Sequence, residues 1–169
     1  MKAKVLIVMG SDSDLPIMAY TGKMLEEFSI PYKMTVSSAH RTPERTLKLV
    51  KSSEKNGIEV IIAGAGAAAH LAGVIASHTV LPVIGVPIPS SPLEGIDALY
   101  STVQMPPGIP VATMAVGKAG AKNAAIFAAQ ILGLRSAAVK KMLNSYRRKM
   151  AGEVVKKAKK IEKGQQNVP

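Results

Sequence analysis

The sequence predicts an α/β protein built on a central parallel sheet. Short apolar runs rich in β-branched residues recur about every 25 residues, with helical patterns between them. Strands and helices that alternate in this way form parallel sheets covered by helices on both faces. The chain has 169 residues, 47% hydrophobic and 20% charged, which is the composition of one globular domain.

The first strand and helix are predicted at the amino terminus. Residues 4–9 form a largely apolar run that ends at the polar loop 10–14, as a buried strand does when it enters a turn. Apolar or small residues then recur at three- and four-residue spacing through residues 14–28, which predicts a helix with one buried face. The serine and aspartate residues of the loop are good helix N-caps.

The second and third units repeat this pattern. Residues 31–37 predict a strand, and Thr42 before a proline predicts a helix that Thr42 caps and that ends near Gly57. Residues 58–63 predict the third strand, which a helix of small residues follows as far as about His78.

The remaining elements of the domain are a fourth strand, a short helix in a segment rich in proline and glycine, a fifth strand and an apolar helix. They are predicted at residues 82–87, 93–103, 111–115 and 121–132. With five strands and right-handed crossovers, a flavodoxin-like three-layer sandwich is the simplest arrangement. We therefore predict a flavodoxin-like catalytic domain at residues 1–134.

Residues 135–169 are predicted as a basic C-terminal helical extension of the same domain. They contain 11 Lys or Arg and 2 Glu, so this segment carries +9 of the net charge of +11. Such a helix is expected to pack across the domain or onto a neighbouring subunit, with a solvated basic face. A basic tail can also bind nucleic acid or an anionic surface, but the chain has 4% aromatic residues and no Trp for base stacking.

Composition excludes several classes of protein. Without cysteine there can be no disulfide, thiolate nucleophile or Cys-ligated zinc or iron–sulfur site, and three His give little basis for a metal site. No apolar run approaches the roughly 20 residues of a membrane-spanning helix. The start Met1-Lys2-Ala3-Lys4 leads into a strand without a cleavage site. We therefore predict a soluble cytoplasmic protein.

Three loops that follow predicted strands are the candidate site, because open parallel sheets bind ligands at the carboxyl ends of their strands. Loop 10–14 offers hydroxyls, carboxylates and a helix N-terminus that suit ribose or phosphate, although simple helix capping explains the same residues. Loop 38–43 pairs His40, suited to proton transfer near neutral pH, with the fixed cation Arg41. The alternative interpretation is that His40 and Arg41 are ordinary surface residues without a role in a site.

The third loop, residues 64–70, matches the dinucleotide pattern G-x-G-x-x-A only loosely. It follows the third strand, and no acidic residue ends the next strand, so NAD or FAD binding is a weak alternative. His70 either lines the site or is a structural histidine. Farther along the chain, residues 100–110 are long enough for a lid or interface segment. Lys118, after Gly117, is available to an anion or a neighbouring subunit.

Five motifs in order resemble the N5-carboxyaminoimidazole ribonucleotide mutase family of purine biosynthesis. The resemblance covers about residues 5–132 and departs from the family pattern at Ala67, usually Gly, and Ala72, often Pro. The motifs are Met9-Gly10-Ser11-Asp12-Ser13-Asp14, Ser38-Ala39-His40-Arg41-Thr42-Pro43, Ala63-Gly64-Ala65-Gly66 with Ala68-Ala69-His70-Leu71, Leu99-Tyr100-Ser101 with Gln104-Met105-Pro106, and Gly117-Lys118-Ala119-Gly120.

The resemblance implies a mutase that moves a carboxyl group from the exocyclic nitrogen of the substrate to carbon 4 of its imidazole, with no metal or other cofactor. It implies a homo-octamer with active sites built by neighbouring subunits. His40 would be the general acid/base. The implied substrate-binding and pocket-lining residues are Ser11, Asp14, Arg41, Ser38, Gly64, Ala65, Gly66, His70 and Leu71.

Two alternatives to the mutase stay open. The first is a related aminoimidazole ribonucleotide carboxylase that uses CO2 directly. The second, more remote, is a flavodoxin-like module that binds nucleotides or nucleic acid.

Overall fold

The sheet has five parallel strands in the order β2-β1-β3-β4-β5. A computed structural model describes residues 2–165 of the chain. This strand order confirms the predicted flavodoxin-like topology. The strands are β1 Val5–Met9, β2 Tyr32–Val36, β3 Val60–Gly66, β4 Val83–Ile88 and β5 Ala112–Thr113.

Helices cover both faces of the sheet. Helices α1, α5 and the start of α6 pack on one face, and α2 and α3 pack on the other. Strand β1 therefore has every residue buried, as expected for a strand between two helical layers. A short 3₁₀ turn, Asp12–Asp14, precedes α1. The helices are α1 Leu15–Glu27, α2 Pro43–Ser53, α3 Leu71–Ala76, α4 Ile96–Val103, α5 Gly117–Gly133 and α6 Ala137–Gln165.

Strand β3 is longer than the sequence predicted. It was expected to end at residue 63, but it continues through Gly66, which pairs with Ile88 of β4. Gly64 and Gly66, which were predicted to lie in a loop, belong to the strand because β4 extends equally far and pairs with them. The third loop of the site therefore begins at Ala67.

Several helix limits also differ from the prediction. Helix α5 begins at Gly117 rather than Ala121. Small residues in its first turn allow the preceding segment to pack closely against it, because a side chain at Gly120 would overlap the carbonyl oxygen of Ala115. Helix α2 ends at Ser53 rather than near Gly57, where a positive φ of 85° belongs to the following turn.

Helix α6 is anchored only at its beginning. Leu143 is buried in the core, and Tyr146 packs edge-to-face on Phe28 with ring centroids 5.5 Å apart. From Arg147 to Gly164 every residue is exposed, so the second half of the helix extends beyond the domain. Residues 166–169 of the predicted extension lie outside the described residues. Within residues 2–165, no helix combines the length and the apolar character needed to span a membrane.

Candidate active site

A pocket of about 260 Å³ lies where the carboxyl ends of β1, β2, β3 and β4 meet. It is formed by the loops that follow these strands, at the edge of the sheet where the predicted loops were expected to converge. All the predicted site residues except Gly64 line it, namely Ser11, Asp14, Ser38, His40, Arg41, Ala65, Gly66, His70 and Leu71.

The loop after β1 is held by a capping box at the turn that precedes α1. Ser11 donates its backbone N–H to Oδ2 of Asp14 at 3.0 Å, and its hydroxyl accepts from the N–H of Ser13. Asp14 is 4% exposed. Burial raises the pKa of Asp14, while hydrogen bonds from the backbone of Ser11 and Gly10 oppose this effect. The helix-capping role is therefore present, and it leaves a buried carboxyl group at the pocket wall.

The loop after β2 is fastened to itself and to the first loop. The N–H of Arg41 donates to the hydroxyl of Ser38 at 3.1 Å, and Nη2 of Arg41 donates to the carbonyl of Gly10 at 3.1 Å. Thr42 is the N-cap residue of α2 and Pro43 begins the helix, as predicted, but the Thr42 side chain makes no capping hydrogen bond. Its hydroxyl accepts from the N–H of Ser38 and donates to the Ser38 carbonyl instead, which closes the loop that carries Arg41.

Two histidines from different loops meet in the pocket. Nε2 of His40 lies 2.8 Å from Nδ1 of His70, and the two rings are nearly perpendicular at 88°. One of these nitrogens must donate to the other, so the tautomer of each ring depends on that of its partner. The sequence singled out both residues, but their 30-residue separation gave no sign that they pair.

The last residue of β3 and the first residue of the following loop have special backbone requirements. A side chain at Gly66 would overlap Ser90, so only glycine allows the two loops to approach this closely. Ala67 has a positive φ of 50°, a conformation that costs a residue with a Cβ more than it costs glycine.

Gly64 does not line the pocket. It is buried in β3 with its missing side chain facing Met18 of α1, and its carbonyl accepts from the N–H of Gly10 at 3.0 Å. Its role is close packing and support of the first loop.

The prediction also missed lining residues. Ser90 is the most informative, because it follows β4 at the same edge of the sheet, and that position was the available signal. The others are neighbouring residues in the first two predicted loops, namely Gly10, Ser13 and Ala39.

The arrangement suits a small phosphate-bearing substrate. Arg41 supplies a fixed cation for phosphate, the serines and Asp14 supply partners for ribose hydroxyls, and the histidine pair supplies a proton donor and acceptor. Within residues 2–165, no three His, Asp or Glu side chains come together as metal ligands do.

The fold and the pocket define a flavodoxin-like α/β protein whose strand-end pocket is lined by an arginine, a buried aspartate and a histidine pair. Residues 4–153 match the family model described as AIR carboxylase, and the chain belongs to this family. It is 57% identical over 161 residues to a protein of Pyrococcus horikoshii named N5-carboxyaminoimidazole ribonucleotide mutase, covering 95% of this chain and 90% of the relative.

Two further comparisons bear on the family. A phosphoribosylaminoimidazole carboxylase of Candida glabrata is 48% identical over 161 residues, which cover 95% of this chain and 28% of that relative. The crystal structure of Treponema denticola PurE is similar with a TM-score of 0.85 and 30% identity, over 94% of this chain and 98% of the other.

Proposed function

We propose that this protein is an N5-carboxyaminoimidazole ribonucleotide mutase of de novo purine biosynthesis. The observation that carries the proposal is the His40–His70 pair, 2.8 Å apart, in a pocket with Arg41 at its mouth. A relative 57% identical over nearly the whole chain bears the name of this enzyme. The product is 4-carboxy-5-aminoimidazole ribonucleotide.

The ribotide is held by the first two loops. The guanidinium of Arg41 is positioned by its bond to the carbonyl of Gly10, and its other N–H groups bind the substrate phosphate. Asp14 and Ser11 accept from and donate to the ribose hydroxyls. Anchoring the ribotide at this end lets the imidazole ring shift within the pocket while the substrate stays bound.

Proton transfer is assigned to His40. The bond between the carboxyl carbon and the exocyclic nitrogen breaks as His40 donates a proton to that nitrogen, which releases CO2. Carbon 4 then bonds to CO2, and His40 takes the proton that carbon 4 must lose to restore the aromatic ring. One proton is given and one is returned, so the reaction is an isomerisation with no other reactant.

His70 positions His40 for both steps. Their hydrogen bond fixes the ring of an otherwise exposed loop histidine and couples its tautomer to that of His70. Ala65, Ala68 and Leu71 give the pocket an apolar wall, against which CO2 is retained without charged partners.

A carboxylase that takes aminoimidazole ribonucleotide and CO2 directly is the second candidate. The similarity to the Candida glabrata carboxylase is the observation that favours it. The two functions are separated by incubating the protein, without ATP, with N5-carboxyaminoimidazole ribonucleotide at low bicarbonate or with aminoimidazole ribonucleotide plus bicarbonate. Product from the first substrate supports the mutase. Product only from the second establishes the carboxylase, and product from neither refutes both.

We further propose that the enzyme acts in the cytoplasm as a homo-octamer whose active sites are completed by neighbouring subunits. Exposed apolar residues in and just before α4 support self-association, because Leu93, Ile96, Tyr100 and Val103 recur at helical spacing beside the loop that carries Ser90. Light scattering tests the assembly: an Ile96→Glu and Tyr100→Glu double variant is expected to dissociate and lose activity. A monomeric wild-type protein with full activity would refute the proposal.

The C-terminal extension is proposed to belong to the same domain as the catalytic residues. The packing of Tyr146 on Phe28 and the burial of Leu143 support this assignment. A single cooperative unfolding transition, seen equally by probes in α6 and in the sheet, is expected.

A further inference from the structure

Three lysines surround the ring of Tyr20 on the surface formed by α1 and α5. The ammonium nitrogens of Lys118, Lys122 and Lys23 lie 4.4, 5.6 and 5.8 Å from the ring centroid. Lys118 and Lys122 belong to the first turns of α5, and Lys23 follows Tyr20 on α1. We refer to these four residues as the Tyr20 cluster. None of them lines the candidate active site.

The lysines of the Tyr20 cluster contact the ring, but within the described residues none of them forms a salt bridge with a carboxylate. Within the described part of the chain, the salt bridges are those that Glu59 makes with Lys4 and Arg135, so no carboxylate pairs with the cluster. The ammonium groups lie closer to their common centre than the Debye length of about 8 Å at physiological ionic strength. Their mutual repulsion is therefore incompletely screened, and an anion placed among them would remove it.

The start of α5 strengthens this positive field. Its first turn has no acidic residue and no side-chain cap, so the positive end of the helix dipole is not neutralised there. Tyr20 responds to the same field: Lys118, as a hydrogen-bond donor and as a charge, lowers the pKa of Tyr20. The location thus stabilises negative charge, and it includes a hydroxyl and three ammonium groups as hydrogen-bond donors.

We propose that the Tyr20 cluster binds a multivalent phosphate group, as carried by free pyrophosphate or by a nucleoside diphosphate. Three ammonium groups from two helices match a group with several negative charges better than a monoanion. Lysine is a common point-charge ligand for phosphate. The one aromatic ring is already covered by the lysines, so the cluster recognises the phosphates rather than the base.

The first test is calorimetric titration of the full-length protein with pyrophosphate. An Arg41→Ala background removes the phosphate anchor proposed for the active site. Saturable binding with one site per chain is expected, and adding Lys118→Gln is expected to weaken it about tenfold, the loss of one charge-assisted hydrogen bond. Adding both Lys23→Gln and Lys122→Gln is expected to weaken it further.

The matched control removes two exposed charges elsewhere. Lys156→Gln with Lys160→Gln on α6 changes the net charge as much as the Lys23 and Lys122 double variant, and it is expected to leave the affinity within about twofold. No saturable binding, or an equal loss in this control, would overturn the proposal, because either result shows only a general attraction of anions to a basic protein.

Two further measurements identify the recognised group. ADP binding with the affinity of pyrophosphate assigns recognition to the phosphates, and tighter ADP binding adds a nucleoside contact. AMP binding as tightly as ADP refutes a multivalent site. Bound pyrophosphate is also expected to raise the pKa of Tyr20, observed as the difference in tyrosinate absorbance between the protein and its Tyr20→Phe variant. An unchanged pKa contradicts binding at this cluster.

Discussion

Replacing His40 with glutamine tests the proton-transfer assignment most directly. In the wild-type protein Nε2 of His40 lies 2.8 Å from Nδ1 of His70. The amide end of a glutamine reaches the same position, so His40→Gln keeps a hydrogen-bonding partner for His70. The amide cannot give and take protons near neutral pH. General acid–base catalysis contributes about 10²- to 10⁴-fold to rate. The expected fall in kcat therefore corresponds to about 3 to 5 kcal/mol of transition-state stabilisation.

The structure also predicts what His40→Gln leaves unchanged. His40 is exposed, so the free energy of unfolding is expected to change by less than about 0.5 kcal/mol. The backbone N–H of Arg41 is held by Ser38 and its guanidinium by Gly10, neither of which involves the imidazole. KM is therefore expected to stay within about threefold of the wild-type value.

The assay follows formation of the 4-carboxylated product from N5-carboxyaminoimidazole ribonucleotide under single-substrate conditions. His78→Gln is the matched control, because His78 is exposed and lies outside the pocket, and it is expected to leave kcat unchanged. If His40→Gln retained kcat within tenfold of the wild type, the imidazole would not be the proton donor and acceptor, and the mechanism derived above would be wrong.

Three other variants test the electrostatics and packing. Asp14→Asn is expected to raise the melting temperature at neutral pH and to weaken substrate binding. Burial raises the pKa of Asp14, so the wild-type protein is most stable below the usual pKa of 3.8, where Asp14 is neutral, and loses this stability as pH rises through the folded pKa. The asparagine variant does not lose it, so its advantage over the wild type should be present at neutral pH and vanish in acid. Glu59→Gln is expected to lower stability by under about 1 kcal/mol. A hydrogen bond from Lys4 lowers the pKa of Glu59. The difference in stability between the wild type and the variant should therefore be present above the usual pKa of 4.5 and disappear as pH falls through the folded pKa of Glu59. Gly120→Ala is expected to cost about 1–3 kcal/mol or more in chemical unfolding, because the new Cβ would overlap the backbone carbonyl of Ala115; equal stability would contradict that packing.

The sequence predicted best the strands whose residues are all buried. β1 and β4 were placed to within a residue, because a strand covered on both faces must be apolar along its whole length. The extension of β3 to Gly66 was missed, because whether glycine continues a strand depends on the neighbouring strand and not on its own propensity.

The site was predictable as a set of loops but not as a geometry. Strand ends identified loops with His40 and His70, whereas their hydrogen bond depends on how β1, lying between β2 and β3, spaces the two loops. Gly64 was assigned to the pocket because it stands in a glycine-rich motif, but the alternation of side chains along β3 turns it toward Met18. Whether Gly64 lines the pocket or packs against α1 depends on which face of β3 it occupies, and the motif alone does not give that face.

Two departures from local stability rules lie at the pocket or next to it, whereas Ser29 and Glu94, which also have a positive φ, lie elsewhere. Asp14 is a carboxyl group in a position that raises its pKa, and Ala67 occupies a backbone conformation that favours glycine. Each is unfavourable to folding, and the buried strands beneath them show no comparable departure. Backbone strain therefore does not single out the pocket, but the buried carboxyl group of Asp14 near the His40–His70 pair does, because ionisable groups with a shifted pKa gather at functional sites.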